Sequence, residues 1–536
     1  MTFPRALDYA RAALSGLLLA LSFPRFGHPA IAWIALAPLL LVLDRGSLIR
    51  AFTLGLTTGV IYFTGTVYWA SRVMVVYGNL EVAAAVLVNA ALIAYLALYP
   101  AVFAVVLRRL TARLGRSALL AAPFVWVATE LGRTHLFTGL PWVLLGYSQA
   151  PVLQVAQLAS VFGVFGVSAL VAAVSAAVAL AAMGESRPGP GPTAELHKPV
   201  ALGLANWAGS GVRGTIPLLV TLAIVVGVAS WGSLRLNRSQ LTRTGEPVRV
   251  GLVQGNVDQA EKWNPARADA IFSDYLAKSE QAIRLGAQVV VWPEASTPFS
   301  FEEDPTEAER LRALARQSSV PILVGSNQIQ RGEPMRVYNA AFLVGADGRT
   351  AGVYRKLHLV PFGEYVPLKK LFFFASRLVE AVSDFSPGDA EVLLPVNGHR
   401  VSAAICYEIV YPQLVRGFVV GGSELLITMT NDAWFGPTSA PYQHFAQASM
   451  RAIENGRYLA RAANTGISGV VDPYGRVVAE SRIFEPAVIV EQARFIETTT
   501  IYTRYGDVFA HASAILTLAL LVLARGPRRR MGNAYC

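Results

Sequence analysis

The sequence is poor in cysteine and in charged residues. Only two of its 536 residues are cysteine, which excludes a small scaffold held together by disulfides. Charged side chains make up 15% of the chain, whereas a soluble protein carries about 25%. Disorder is excluded as well, because the charge fraction is low and aromatic residues reach 10%. With 54% hydrophobic residues, the chain must place much of itself in lipid.

Apolar runs follow one another along the first half of the chain and return near its end. A membrane-spanning helix needs about 20 apolar residues, within a range of roughly 17–25. The runs lie at 9–22, 29–43, 51–71, 82–107, 117–132, 150–183, 215–232 and 507–524. Some of them are short for a span, so seven or nine spans are alternatives. We expect an α-helical membrane bundle of about eight spans.

The net charge of +11 could indicate nucleic acid, but the basic residues do not follow one amphipathic face. They collect in alternate loops, at Arg5, Arg11, Arg45, Arg50, Arg108, Arg109, Arg113, Arg116, Arg187, Lys198, Arg213, Arg525, Arg528, Arg529 and Arg530. The other short loops hold only Arg25, Arg72 and Arg133. Lys and Arg mark cytoplasmic loops. We therefore expect both chain ends in the cytoplasm and the segment between the last two apolar runs on the opposite side of the membrane. The Pro- and Gly-rich stretch 184–214 is interpreted as a flexible cytoplasmic loop.

Between 247 and 500, short β-rich runs alternate with helical patterns, as is typical of α/β domains. We expect strands at 248–256, 288–294, 321–327, 337–345, 400–408, 424–431 and 468–475. We expect helices at 265–285, 305–318, 411–421 and 441–456. The strands are nearly all apolar, which predicts that both of their faces are covered.

Three polar residues stand out against these apolar strands. Glu294 ends VVVWPE, Cys406 lies at the end of RVSAAICYE, and Lys356 lies in VYRKLHLVPFGEYVP. A thiol, a carboxylate and an ammonium are the parts that covalent acyl chemistry needs. The thiol is the nucleophile, the carboxylate takes its proton, and the ammonium stabilises the developing oxyanion.

Each of the three residues also has a structural interpretation. A cysteine at the end of an apolar strand is often a small core residue. Glu294 after Trp-Pro could mark a turn, and Lys356 beside Arg355 could belong to a solvated face. The predicted topology places Cys536 on the opposite side of the membrane from Cys406, so the two thiols cannot pair. A lone thiol in an oxidising compartment is a liability unless it is used, which favours the catalytic interpretation.

Longer motifs around these residues resemble the nitrilase, or carbon–nitrogen hydrolase, superfamily. VVVWPEAS, VYRKLHLVPFGEYVP and AAICYEIVYP are similar to its Glu, Lys and Cys motifs. Further stretches resemble one branch of it, the bacterial apolipoprotein N-acyltransferases: GLPWVLLGYSQ (139–149), QGNVDQAEKW (254–263), NDAWFG (431–436) and 443–476, together with the flanking spans. The resemblance covers nearly the whole chain except 184–214.

The resemblance implies an α/β nitrilase-like α-β-β-α sandwich at 247–500. It would dock on a transmembrane bundle formed by 1–240 and by an eighth helix with a basic tail at 507–536. The implied protein is a multi-pass protein of the bacterial inner membrane with its catalytic domain on the periplasmic face. The implied reaction carries an acyl chain from a phospholipid to the N-terminal amine of diacylglyceryl-cysteine on an apolipoprotein. Cys406 would carry the acyl group as a thioester, without a cofactor.

The resemblance also assigns supporting residues. The family's second glutamate maps onto Glu364, and Tyr407 and Glu408 match the family's C-Y-E. The amide N–H after the nucleophile is expected to complete the oxyanion hole. The residues expected to contact lipid are Trp263, Trp142, Trp434, Phe372, Phe373 and Phe374. The three phenylalanines lie in 361–380, which is either a packed core helix or an arm dipping into the bilayer interface.

Two other functions remain open from the residues alone. A membrane-tethered amidase would use the same three residues on lipid amides but accept water. A transporter whose outer domain only binds ligand is disfavoured. Transport paths usually need ionisable residues, and the spans contain few of them, with Glu130 the clearest. We expect no metal site, since the histidines are scattered and only His358, in a structural role, is expected near the site. We expect a monomer.

Overall fold

The structure is a computed structural model that describes residues 3–78, 80–184, 215–365 and 385–525. Phe372, Phe373, Phe374, Cys536 and nearly all of the 184–214 loop lie outside the described residues. The sequence predictions on them stay predictions.

The first described part of the chain is helical. Its helices are α1 Phe3–Ala20, α2 Pro29–Ala32, α3 Ala37–Leu40, α4 Leu48–Val67, α5 Trp69–Val76, α6 Val82–Leu114, α7 Ala122–His135, α8 Leu153–Ala156, α9 Ala159–Met183 and α10 Ile216–Arg238. Within the described residues, four helices are long and apolar enough to cross a membrane: α4, α6, α9, and α10 with its extension to Thr242. The expected count of about eight spans is not confirmed.

Proline explains part of this difference. The apolar run at 29–43 forms two four-residue helices, α2 and α3, and each has proline in its first turn. Proline lacks the N–H that would continue a helix, so Pro38 starts a new helix instead of extending the first. The run at 117–132 is likewise divided between a short 3₁₀ turn, Arg116–Ala121, and α7.

The second part alternates strands and helices, as the sequence predicts. Its elements are β1 Pro247–Gln254, α11 Pro265–Arg284, β2 Val289–Val291, α12 Pro305–Ser318, β3 Ile322–Gln330, β4 Arg336–Val344, β5 Thr350–Arg355, β6 Leu394–Val396, β7 His399–Ile405, α13 Pro412–Val420, β8 Leu425–Thr430, α14 Ala440–Asn455, β9 Leu459–Ala463, β10 Gly469–Val471, β11 Val477–Glu480 and β12 Ala487–Arg494. Two helices follow, α15 Ile501–Tyr505 and α16 Val508–Leu523. All seven expected strands and four expected helices are present, and β5, β6, β9, β11 and β12 were not expected.

The strands form two six-stranded sheets, in the orders β12-β1-β2-β3-β4-β5 and β11-β10-β9-β8-β7-β6. Alternate residues of a strand pack on opposite faces of its sheet. Leu323 of β3 lies in a core that also holds Ile405 of the second sheet. Its neighbour Ile322 packs in another core with Phe272 of α11. Helices α13 and α14 contact the second sheet, which makes a nitrilase-like α-β-β-α arrangement.

The sandwich is joined to the membrane helices through α14. Gln443 on this helix accepts a hydrogen bond from Trp142 Nε1 at 2.7 Å. Near the end of the helix, Glu454 accepts one from the Val164 backbone N–H at 2.8 Å. Arg451 lies between them, fully buried, and forms a salt bridge with Glu454 at 3.0 Å. The junction is therefore a packed interface with buried polar contacts.

Candidate active site

Glu294 lies three residues beyond β2, after Trp292 and Pro293, and its side chain is buried. Its Oε1 accepts hydrogen bonds from Asn339 Nδ2 at 2.8 Å and Lys356 Nζ at 3.3 Å. Its Oε2 accepts one from the Asn431 backbone N–H at 3.0 Å. Burial alone would raise the pKa of Glu294, but Lys356 and the Asn339 hydrogen bond bring the pKa below its usual value. Glu294 is therefore a carboxylate that can accept a proton.

Lys356 follows β5 directly and is 1% exposed. Its Nζ donates to Glu364 Oε1 at 2.9 Å, in addition to Glu294. Although burial lowers the pKa of Lys356, Glu364 and Glu294 raise it above its usual value, so the group stays an ammonium. Asn339 Nδ2 also donates to Glu364 Oε1 at 2.9 Å and so joins the two carboxylates.

Cys406 is the first residue after β7, and its thiol is buried and unpaired. Its φ is +52°, in the left-handed region that residues other than glycine seldom adopt. Backbone strain of this kind clusters at functional sites. Burial and the nearby Glu294 raise the pKa of the Cys406 thiol well above its usual value. The Cys406 side chain therefore rests as a thiol beside the Glu294 carboxylate.

A buried cluster holds the backbone of this turn. His444 Nε2 donates to the Cys406 carbonyl at 3.2 Å, and Arg461 Nη2 donates to His444 Nδ1 at 3.0 Å. Arg461 also donates to Asp432 Oδ2 at 2.8 Å. Burial and Arg461 lower the pKa of His444, which favours a neutral ring. The prediction that His358 is the only histidine near the site is wrong, because His444 contacts Cys406 directly.

Glu408 connects the Cys406 turn to the Lys356 loop. Its Oε2 accepts from the Ile405 N–H at 2.7 Å, and its Oε1 accepts from the Leu357 N–H at 2.7 Å. Tyr354 Oη donates to the same Oε1 at 2.7 Å. Burial raises the pKa of Glu408 to about 7. These contacts bring the residue before the thiol and the residue after the ammonium to one carboxylate.

The other sequence-predicted residues lie around this centre. Tyr407 is half-buried and donates to the Gly139 carbonyl at 3.4 Å. Trp263 is 46% exposed, whereas Trp142 is 1% exposed and packs against His444 at a ring distance of 5.5 Å. Trp434 is half-buried and contacts Tyr77, with ring centroids 4.8 Å apart. Trp142 therefore belongs to the packed junction and not to an open surface.

Asn339, Asn431 and His444 were missed by sequence reasoning. Asn339 is a polar residue within the apolar segment VYNAAFLVG, which is the one signal that could have revealed it. Asn431 contributes its backbone N–H, a group that nearly every residue has, so its residue type gave no signal. His358 packs against Tyr411, with ring centroids 3.9 Å apart. Burial and Lys356 lower the pKa of His358 to about 4, so it stays neutral and has no cationic role.

Metal binding has no support in the part of the chain that the structure describes. No group of three His, Cys, Asp or Glu side chains there is arranged to hold a metal ion. The side chains that meet at this site are a thiol, a carboxylate and an ammonium, at one edge of a two-sheet sandwich.

Comparison with known proteins places this arrangement in a class. Residues 249–497 match the family model described as carbon-nitrogen hydrolase, and residues 15–177 match that of the apolipoprotein N-acyltransferase N-terminal domain. The sandwich is therefore a nitrilase-type domain. An amidase of the nitrilase superfamily from Nesterenkonia is among the similar solved structures, with a TM-score of 0.39 and 22% identity over 50% of this chain and 97% of its own.

Full-length relatives narrow the class. The apolipoprotein N-acyltransferase of Geobacter metallireducens is 40% identical, over 96% of this chain and 95% of its own. That of Methylococcus capsulatus is 33% identical, over 92% of each chain. The chain belongs to the apolipoprotein N-acyltransferase family, which confirms the resemblance seen in the sequence motifs.

Proposed function

We propose that this protein transfers an acyl chain from a phospholipid to the N-terminal amine of diacylglyceryl-cysteine on apolipoproteins. The observation that carries the proposal is the buried carboxylate–ammonium pair of Glu294 and Lys356 beside the Cys406 thiol. This site lies on a sandwich packed against apolar helices, and both proposed substrates carry acyl chains. Full-length relatives carry the name of this activity.

The first half-reaction loads the enzyme. Cys406 Sγ attacks the ester carbonyl of the phospholipid while Glu294 takes the thiol proton. The Lys356 ammonium stabilises the negative charge on the carbonyl oxygen, with the N–H after Cys406 as a second donor. The C–O bond then breaks, the lysophospholipid leaves with the proton from Glu294, and a thioester remains on Cys406.

The second half-reaction transfers the acyl chain from Cys406 to the acceptor amine. The acceptor amine attacks the thioester carbonyl, Glu294 takes a proton from the amine, and the C–S bond breaks. The sulfur recovers the proton and the amide product leaves. Glu364 holds Lys356 at 2.9 Å, and Glu408 fixes the turn around the thiol. Water must be excluded while the thioester waits, since water competes with the amine.

The test is intact mass of the full-length protein after incubation with phospholipid alone. We expect one acyl adduct on Cys406 and a burst of lysophospholipid no larger than the enzyme concentration. Cys406→Ser should lose the adduct and lower transfer by more than ~10³-fold, while Cys536→Ser, the matched control, should behave as wild type. With acceptor present, the kinetics should be ping-pong. Sustained lysophospholipid release with accumulation of free fatty acid would favour the hydrolase alternative.

We further propose a multi-pass monomer of about eight spans, divided at 1–240, 247–500 and 507–536. Its catalytic sandwich lies on the periplasmic face of the inner membrane. The support is the alternation of Arg- and Lys-rich loops with loops that hold few basic residues. The described α1, α7 and α16 are helices of 18, 14 and 16 residues, and flanking residues or local thinning of the bilayer would accommodate spans of this length.

A further inference from the structure

A second buried lysine lies beside the reacting groups. Lys262 is in the turn before α11 and is only 4% exposed. Its Nζ donates to the backbone carbonyl of Glu294 at 3.4 Å and lies 5.7 Å from the Trp263 ring centroid. Within the described parts of the chain, its Nζ makes no other hydrogen bond or ion pair. Burying an ammonium with so little hydrogen bonding is unfavourable, so another interaction must stabilise the buried charge of Lys262.

The charges of the site supply that interaction. Lys356 forms ion pairs with both Glu294 and Glu364, and the three groups together carry one net negative charge. When Cys406 attacks, its proton passes to Glu294 and a new negative charge appears on the ester oxygen. The cluster therefore keeps its excess negative charge throughout the reaction unless another cation is present. Lys262 is a second buried cation, besides Lys356, that interacts with both Glu294 and Cys406.

We propose that Lys262 is a charge-balancing residue of the acyl-transfer site. Its ammonium brings the buried cluster to zero net charge at rest and keeps it there in the tetrahedral intermediate. This role rests on the proposed nucleophile Cys406 and base Glu294. The contact with the Glu294 carbonyl anchors Nζ on the segment that carries the base, so the positive charge stays fixed to the reacting centre.

The titration of Lys262 makes the role measurable. Burial lowers the pKa of Lys262 to about 8, against the opposing effects of Glu294 and Cys406. Lys262 is charged below this pH and neutral above it, so loading of Cys406 should slow as the pH rises through about 8. The other groups that face it do not titrate there. The pKa values of Lys356 and Cys406 are raised well above this range, and that of Glu294 is lowered.

The experiment measures only the first half-reaction, with the full-length protein, phospholipid donor and no acceptor amine. The acylated fraction is read by intact mass against time, at pH values on both sides of 8, for wild type, Lys262→Arg and Lys262→Met. For wild type, the rate of Cys406 acylation should fall as the pH rises through about 8. Lys262→Arg should move that fall to higher pH, since a guanidinium stays protonated. Lys262→Met should load ~10²-fold more slowly below pH 8 and lose the fall altogether.

The outcomes separate the two proposals. If Lys262→Met loads at the wild-type rate, or loads slowly with an unchanged fall near pH 8, Lys262 is structural and the charge-balancing role is rejected. The role is likewise rejected if wild type itself shows no fall near pH 8, which keeps the test decisive even if both variants misfold. Cys406→Ser run in parallel reports on the site itself, because its loading at the normal rate would reject the proposed nucleophile instead.

Discussion

At the scale of single residues, Gly325 on β3 controls the position of Glu294. A Cβ built on Gly325 would lie 2.5 Å from the Pro293 carbonyl oxygen and 2.5 Å from the Ala295 nitrogen, both of which are backbone atoms. Contacts this short force the backbone to move. Gly325→Ala should therefore displace the base and reduce formation of the acyl-enzyme by ~10²-fold, because a shift of about 1 Å at a catalytic group is worth that much.

The matched control is Gly332→Ala, in the hairpin that follows the same strand. A Cβ at Gly332 meets nothing within 4 Å. Both variants would be measured for acylated fraction after incubation with phospholipid and for thermal unfolding. Equal activity of the two variants would show that the Glu294 segment tolerates the displacement.

The residues of the proposed catalytic site could be predicted because their chemistry is unusual where they stand. Glu294 and Cys406 lie at the ends of apolar strands, where a carboxylate and a thiol are conspicuous. Lys262 and His444 could not be predicted in the same way. Lys262 stands among the polar residues of QAEKW, and its burial follows from how the turn folds onto the Glu294 backbone. His444 is one polar position of an amphipathic helix.

At the scale of elements, α14 carries a fully buried ion pair, Arg451 and Glu454, and Glu454 also accepts the Val164 N–H of the membrane part. Removing one partner of a buried pair leaves an uncompensated charge and typically costs about 3–5 kcal/mol. Glu454→Ala should therefore strongly destabilise the protein, since Arg451 is 0% exposed and the Val164 N–H also loses its acceptor. The measurement is thermal unfolding in detergent.

Two comparisons sharpen this prediction. The double variant Arg451→Met, Glu454→Met should be less destabilised than Glu454→Ala, because no buried charge is left alone. Glu280→Ala removes the exposed partner of Arg284 on α11 and should leave the unfolding temperature nearly unchanged. A double variant that unfolds at a lower temperature than Glu454→Ala would contradict the claim that the unpaired buried charge causes the destabilisation.

The segment around Phe372–Phe374 is a second element with a testable role, predicted from sequence. If it admits lipid, replacing Phe372, Phe373 and Phe374 by serine should impair loading from membrane-borne phospholipid more than loading from a short soluble thioester. The paired rates of the two donors give the result directly. Equal loss with both donors would favour the packed-core interpretation.

Elements were easier to predict than the pattern of spans. The apolar strands and the helix beginning at Asn264-Pro265 have strong local signals, and their bounds differ from the structure by a few residues. Strand β9 was missed because LARAA is rich in alanine and contains Arg461, which suits a strand poorly. That arginine is buried in an ion pair with Asp432, a contact that the sequence does not reveal.

At the scale of the whole molecule, the proposed orientation can be measured with single cysteines. In a Cys536→Ser background, Glu333→Cys lies in the exposed hairpin after β3, and Leu114→Cys lies at the end of α6. A membrane-impermeant thiol reagent added to intact spheroplasts should label Glu333→Cys at once and Leu114→Cys only after permeabilisation. The parent protein is the control, since Cys406 is buried. The opposite labelling pattern would reverse the topology.

The contacts across the junction also bear on whether the two parts of such proteins can be exchanged by recombination. Trp142, from the membrane part, packs on His444, which in turn holds the Cys406 carbonyl. Tyr411 donates to the Gly139 carbonyl at 2.9 Å from the other side. A hybrid gene that takes its two halves from distant relatives would mismatch these partners next to Cys406. Recombination should therefore preserve the two halves as one unit, and hybrids should regain activity when the residues facing positions 139–142 are exchanged with them.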